Sequence, residues 1–456
     1  MKRTAVINVV GLTRSSLEQM PRLREFASTR QVVSIAPAFP AVTCPAQSTY
    51  LTGLPSAEHG IVGNGWYDRD LAEVHFWKQS NHLVRGRKLW EELREMVPGF
   101  TCAKLFWWYN MYSTADYSIT PRPMYPADGR KVFDVYTQPF AIRFEIKKDL
   151  GEFPFRSFWG PAAGIDSSRW IAESAKWIEQ RHRPGLSLIY LPHLDYNLQR
   201  LGPKHADVPA DLKLIDDVAS DLIAFLQQRQ VEVVVLSEYG ITEVDRPVHL
   251  NRVFREQGWI AIKDELGLEM LDCGASKVFA IADHQVAHIY LADPAMFGAV
   301  ADLVRSQPGV GAVLDREAQR AFGIDHARGG DLIAVADARS WFTYYYWLND
   351  EVAPDFARTV DIHRKAGYDP AELFIDPTIK VPAARIATFL LKKKLGLRTL
   401  LNVIPLDATL VKGSHGRIPE LMDDWPILIA NACEKSLPRQ LPATAVYDVL
   451  KRVCLA

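Results

Sequence analysis

At 456 residues, with 48% apolar and 23% charged side chains, the chain has the composition of an ordinary soluble globular protein. It is long enough for one large α/β domain with insertions, or for two domains. A net charge of −1 carries no basic footprint, so neither nucleic acid nor an acidic membrane surface is expected as a main partner. Five cysteines (Cys44, Cys102, Cys273, Cys433, Cys454) without CxxC pairs exclude a disulfide framework and point to a reducing compartment. The N-terminal MKRTAVINVVGL reads as a first buried strand rather than a secretory leader, and no run of about 18 apolar residues offers a membrane span. The expected location is cytoplasmic.

In chain order, Thr4–Val10 is a β-branched run typical of a strand covered on both faces. A helix over Ser15–Ser28 and a second strand over Gln31–Ala36 follow, then a short helix over Pro45–Leu51. Leu186–Leu191 and Glu232–Leu236 read as two more buried strands. Between them Ala210–Gln228 carries Leu212, Ile215, Val218, Leu222 and Leu226 at helical spacing. Strands alternating with helices predict an α/β fold, a doubly wound, mostly parallel sheet. Thr43, Asp195 and Glu238 all fall just after predicted strands, on the edge where such sheets bind ligands. Two segments look added to this core: an irregular, aromatic- and Pro-rich insertion over 106–161, and a small α+β cap over 274–347 that contains a strand Val278–Leu291. The predicted organisation is one α/β core over 1–273 and 348–456, with the cap between.

The most informative stretch is Ala38–Asp68, AFPAVTCPAQSTYLTGLPSAEHGIVGNGWYD. Thr43 sits in a turn between a buried strand and a helix start, where a hydroxyl and free backbone N–H groups face one small volume. Taken alone, Thr43 before Pro45 is ordinary helix-capping chemistry. The motifs that follow change that reading: Thr52-Gly53-Leu54-Pro55, His59-Gly60-Ile61 and Gly63-Asn64. Further along stand Asp195 in YLPHLDYNLQRLGP, Glu238-Tyr239-Gly240 in VVVLSEYGIT, and Gly413-Ser414-His415-Gly416. Together these closely resemble the nucleotide pyrophosphatase/phosphodiesterase branch of the alkaline phosphatase superfamily. The VVGL, SEYG and GSHG variants are similar to a bacterial subgroup encoded in the conserved operon called ebo, which implies small-molecule biosynthesis or export.

The resemblance implies an alkaline-phosphatase-like core, Thr43 as nucleophile, Asn64 as a donor to a phosphoryl oxygen, and two divalent ions. The chain departs from the implied ligand set in three places. Val10 stands where the family's first strand ends in Asp, Gln199 replaces a His, and Tyr239 replaces the His of a D-H-G motif. The donors that remain are Thr43, Asp195, Glu238 and His415, with Asn8 on the first strand a poor substitute. This oxygen-rich set predicts one divalent ion rather than two, a hard ion such as Mg²⁺, Mn²⁺ or Ca²⁺ in preference to Zn²⁺. Other histidines are weaker candidates: His193, two residues before Asp195; His249; His284 and His288, sharing a face if on one strand; and His363 with Asp361.

The expected function is metal-assisted hydrolysis of a phosphodiester, activated monoester or phosphonate in a small metabolite, through a phosphothreonine intermediate. The aromatic run Phe106–Tyr112 is either plain core or a platform for the leaving group. The alternative is a catalytically altered or inactive homologue that binds a phosphorylated metabolite or a partner protein.

Overall fold

The computed structural model describes residues 2–128, 130–397, 399–431 and 436–456; Cys433 lies outside them. The first strand, Thr4–Val9, is buried along its whole length because helices cover both faces of the sheet it centres. It pairs in parallel with Leu186–Leu191 on one side and Glu232–Leu236 on the other, with Asn8 level with both Tyr190 and Leu236. All three strands therefore finish at one edge. Six further strands complete a nine-stranded sheet. Five of its eight pairings are parallel, and three are antiparallel. The mixed, mostly parallel α/β sheet expected from the alternating pattern is present. Helix Val208–Gln228 covers it with Leu212, Ile215, Leu222 and Leu226, all essentially inaccessible to solvent.

Three elements differ from expectation. The helix over Ser15–Ser28 is two helices, Arg14–Leu17 and Pro21–Ser28, broken where Pro21 has no N–H to continue the ladder. The 106–161 insertion is not irregular throughout. Tyr117–Pro121 and Val135–Gln138 extend the sheet from the open edge of Cys102–Leu105, and Ile142–Leu150 buries Ile142 and Ile146, one turn apart. The strand over Val278–Leu291 is a hairpin, Val278–Asp283 paired with Val286–Leu291. Fourteen residues exceed an ordinary strand, and His284 at φ +62° makes the turn. The hairpin opens a four-stranded antiparallel sheet completed by Leu332–Ala336 and Val310–Leu314.

Close backbone approach locks the motifs against this core. Gly413 pairs with Glu243, and a Cβ there would lie 2.0 Å from the Leu198 carbonyl oxygen on the helix that bears Asp195. Gly240 meets the Asp424 carbonyl just as tightly, at 1.9 Å. Only glycine permits either contact. Gly413→Ala is expected to push the His415 segment off the Asp195 helix. The cost should be about 1–3 kcal/mol, the range for forced overpacking, read as a lower thermal midpoint than wild type.

Candidate active site

Thr43 opens the ten-residue helix Thr43–Thr52 and is 3% exposed. Its Oγ1 lies 3.2 Å from the Tyr239 hydroxyl, which donates to Asp195 Oδ1 at 3.1 Å. Asp195 falls just after strand Leu186–Leu191, in the first turn of helix His193–Leu201. Gln199, one turn on, donates to its Oδ2 at 2.8 Å and accepts from the Tyr368 hydroxyl at 3.2 Å. His415 brings Nε2 to 3.7 Å from Asp195 Oδ1. Its Nδ1–H donates to the Ala41 carbonyl at 2.8 Å, which fixes the neutral tautomer and leaves Nε2 as a buried free acceptor. The backbone ties the same pieces together: Ala41 N–H to Gly416 and Gln285 N–H to the His415 carbonyl, both 2.8 Å.

Glu238, fully buried, stands beside Thr43. Its Oε1 accepts from the side-chain amides of Asn8 and Gln47, while Oε2 has no partner. Gln47 is one helical turn from Thr43 and also takes the Trp108 N–H on its Oε1 at 2.7 Å. Burial raises Glu238 to about 8 against the pull of those donors, leaving Oε2 to carry the proton. Burial likewise raises Asp195 to about 7, with Tyr239 and Gln199 pulling the other way. Asp195 keeps 17% of its side chain exposed, so Glu238 is the more reliably neutral of the two.

Asn64 is where the motif placed it, 3.1 Å from the Cys44 N–H through Oδ1. Its backbone N–H and Nδ2 both go to Asp283, at 2.7 and 3.0 Å. The Asn64 amide expected to donate to a phosphoryl oxygen is thus already paired with Asp283, and the Cys44 N–H with Asn64. Four rings stack into a column through the site: Tyr239 on His415 at 3.6 Å, His415 on His284 at 3.8 Å, and His284 on Tyr368 at 3.8 Å. A narrow cleft opens over Thr43, Asp195 and Tyr239, walled by Trp77, Trp108, Trp159 and Tyr368. The aromatic run divides. Phe106 packs into the core against Phe153 and Trp170, whereas Trp108 faces the cleft and tilts over Trp77 at 4.7 Å. Lys104, buried and lowered to about 7, donates to the Trp108 and Tyr109 carbonyls, both at 2.8 Å, and so holds that turn.

Of the expected site residues, the fold brings Thr43, Asn64, Asp195, Glu238 and His415 to one place. Of the weaker histidine candidates, His284 joins the site as part of the ring column and the others go elsewhere. His193 is on the far side of its helix from Asp195 and meets Asp211 at 3.2 Å. His249 bonds Thr343, His288 the Val62 carbonyl and His363 the Phe76 carbonyl. His284 and His288 do not share a strand. Gln47, Trp77, Asp283 and Tyr368 were not anticipated. Gln47 was legible as Thr43 plus four on a helix, and Asp283-His284-Gln285 as the polar break in an overlong apolar run.

These donors do not fit a metal centre. Among the described residues no group of three or more His, Cys, Asp or Glu side chains is placed to hold an ion. Val10, fully buried, offers no lone pair. Glu238 Oε1 and both Asp195 oxygens already accept N–H or O–H donors, whereas Glu238 Oε2 and His415 Nε2 have no partner, and the Tyr239 hydroxyl stands between Thr43 and Asp195. Thr43, Asp195, Glu238 and His415, the donors expected to hold a single cation, stand together in this structure in a hydrogen-bonded cluster with Tyr239, Gln47 and Gln199.

An α/β sheet with a buried hydroxyl at a helix N-terminus on its carboxyl edge is the architecture of the alkaline phosphatase superfamily, and solved structures share it. Murine ectonucleotide pyrophosphatase/phosphodiesterase 5, in an inactive form with AMP, matches with a TM-score of 0.60 at 14% identity, covering 100% of this chain and 95% of that one. Phosphonoacetate hydrolase from Sinorhizobium meliloti 1021, with phosphonoformate, gives 0.59 at 14%, covering 100% and 96%. A sequence profile of type I phosphodiesterase / nucleotide pyrophosphatase matches residues 4–369, and the chain belongs to that family. Rat ectonucleotide pyrophosphatase/phosphodiesterase family member 3 is 24% identical over 232 residues, 48% of this chain and 22% of the relative. An uncharacterized pyrophosphatase/phosphodiesterase of Schizosaccharomyces pombe is 23% identical over 230 residues, 48% of this chain and 40% of the relative. The chain thus spans less than half the length of either. The family is metal-dependent, typically on zinc, which sets the donor chemistry of this chain apart from it.

The raised carboxyls make stability depend on pH with a definite sign. Between the ordinary glutamate value near 4.5 and about 8, folded Glu238 keeps a proton that the unfolded chain has lost. Stability therefore falls as pH rises through that window, by up to about 1.4 kcal/mol per pH unit, and levels off above it. Glu238→Gln removes this contribution. Thermal midpoints measured from about pH 5 to about pH 8 should fall more steeply for wild type than for Glu238→Gln.

Proposed function

We propose that the chain hydrolyses phosphoesters of small molecules, with a diester, activated monoester or phosphonate as substrate and Thr43 as the attacking group. The observation that carries this reading is the linked series Thr43 hydroxyl, Tyr239 hydroxyl, Asp195 carboxylate on the floor of the indole-walled cleft. Family membership supports it, as does the binding of AMP and phosphonoformate by the solved relatives.

No step is routed through a metal ion. Thr43 Oγ1 attacks phosphorus and its proton passes to the Tyr239 oxygen as the Tyr239 proton passes to Asp195. An Asp195 near 7 is matched to accepting a proton at neutral pH. The bond to the leaving oxygen breaks, giving a phosphothreonine, and water then cleaves the Thr43 Oγ1–phosphorus bond as Asp195 returns its proton through Tyr239. Thr43 opens the helix, so the dipole's positive end faces the phosphoryl oxygens, and Asn64 fixes the turn that holds it. The aromatic walls receive the leaving group. A cytoplasmic setting is proposed on Cys44, Cys102, Cys273 and Cys454, all free. No helix among the described residues is long and apolar enough to cross a membrane. The likeness to the ebo-operon subgroup rests on VVGL, SEYG and GSHG alone.

One observation favours the alternative, a protein that binds without turnover: Asn64, the Cys44 N–H and both oxygens of Asp195 are already satisfied by their neighbours. Hydrolysis of bis-p-nitrophenyl phosphate separates the two. Thr43→Ala should fall to the uncatalysed rate and Tyr239→Phe by about a hundredfold or more, and acid quenching of wild type should trap phosphate on Thr43. Equal rates in wild type and Thr43→Ala would establish the binding reading instead. Protein purified without chelators should carry less than one divalent ion per chain, and prolonged dialysis against chelator should leave its rate and its thermal midpoint unchanged.

A further inference from the structure

The net charge of −1 conceals one strongly basic segment. Between Asp376 and Asp407 the sequence has six cations, Lys380, Arg385, Lys392, Lys393, Lys394 and Arg398, and no acid. Most of it forms an arm around helix Pro382–Lys394, in which no residue is buried. The arm leaves and rejoins the protein at one place. The Asp376 N–H donates to the Val403 carbonyl at 2.7 Å, and the N–H groups of Val403 and Ile404 both reach the Arg358 carbonyl at 3.0 Å. Ala371, Val403 and Ile404 form a small apolar stem, with Ile379 and Leu401 packed against it. It begins a few residues after Glu372 and Leu373, which line the cleft.

Beyond the stem, Ala383, Ala387, Leu390 and Leu391 fall on one face by helical spacing and are exposed, and Leu395, Leu397 and Leu400 continue the apolar surface. Leu391 is 58% and Leu395 68% exposed. None of the five described cations of the arm comes within ion-pair distance of a carboxylate. Leucines in water beside unpaired lysines are unfavourable for a solvated face, but they suit a surface that is anionic outside and apolar beneath. A second copy of the chain is a poor occupant, because a two-fold contact would set the five described cations of the arm against their own copies.

We propose that this arm docks the protein on an anionic lipid bilayer, with the leucine face in the headgroup–acyl boundary and the lysines at the phosphates. The test uses the full chain and sedimentation with large vesicles of phosphatidylcholine, alone or mixed with phosphatidylglycerol. The protein should pellet with the mixed vesicles and not with phosphatidylcholine alone, and added salt should release it. Combined Lys392→Gln, Lys393→Gln and Lys394→Gln should lower partitioning about a hundredfold, at roughly 1 kcal/mol per basic residue and tenfold per 1.4 kcal/mol. Leu390→Glu with Leu391→Glu should abolish binding while leaving the thermal midpoint unchanged, since both side chains are exposed. Equal binding to both vesicle types, no binding to either, or a solution dimer that the leucine substitutions dissolve would each overturn the proposal.

Discussion

Everything at the candidate site is arranged around the Tyr239 hydroxyl, which touches Thr43 and Asp195 at once. A phenol offers one proton and accepts another, so it joins an alcohol to an acid without a net charge between them. The surroundings hold it there. Its ring lies flat against His415, and the backbone at Gly240 has no room to shift. Replacing imidazole by phenol in the D-H-G position is thus not an isolated loss. It puts a hydroxyl that bridges Thr43 and Asp195 where the family pattern has an imidazole.

The same economy explains the two carboxyls. A buried ionised carboxylate without a counter-charge is very costly, and among the described residues no Lys or Arg lines the cleft. Glu238 meets this by keeping its proton while Asn8 and Gln47 occupy its other oxygen; Asp195 meets it with two donors and partial access to water. Lys365 shows the contrasting solution nearby, where two buried carboxylates, Asp369 and Glu372, each sit 2.7 Å from one ammonium. Charge is balanced by charge beside the cleft and by proton retention on its floor.

Much of this was legible in the sequence because the chemistry was local. The β-branched runs gave the three central strands within one residue, and TG-x-x-P, HGI and GN identified the Thr43 turn. Val10, Gln199 and Tyr239 were recognisable as departures, but their consequence was not. Whether a cluster of oxygens binds a cation or satisfies itself depends on where donors such as Asn8 and Gln47 point, which spacing does not fix. The cap hairpin was misread because a buried two-stranded ribbon and one long strand share the same apolar composition. His284 and Tyr368 reach the column of rings only through tertiary packing. The Lys392-Lys393-Lys394 run reads in the sequence as a solvated helix face, and six local cations vanish in a whole-chain sum.

Trp77 and Trp108 have an optical consequence. Two indoles 4.7 Å apart and tilted by 42° are coupled transition dipoles in a fixed chiral relation. Such a pair splits its absorption into bands of opposite rotational strength, so the cleft carries its own chromophore. Any molecule that wedges the two rings apart, or clamps them, changes that signature directly, without a label and without turnover.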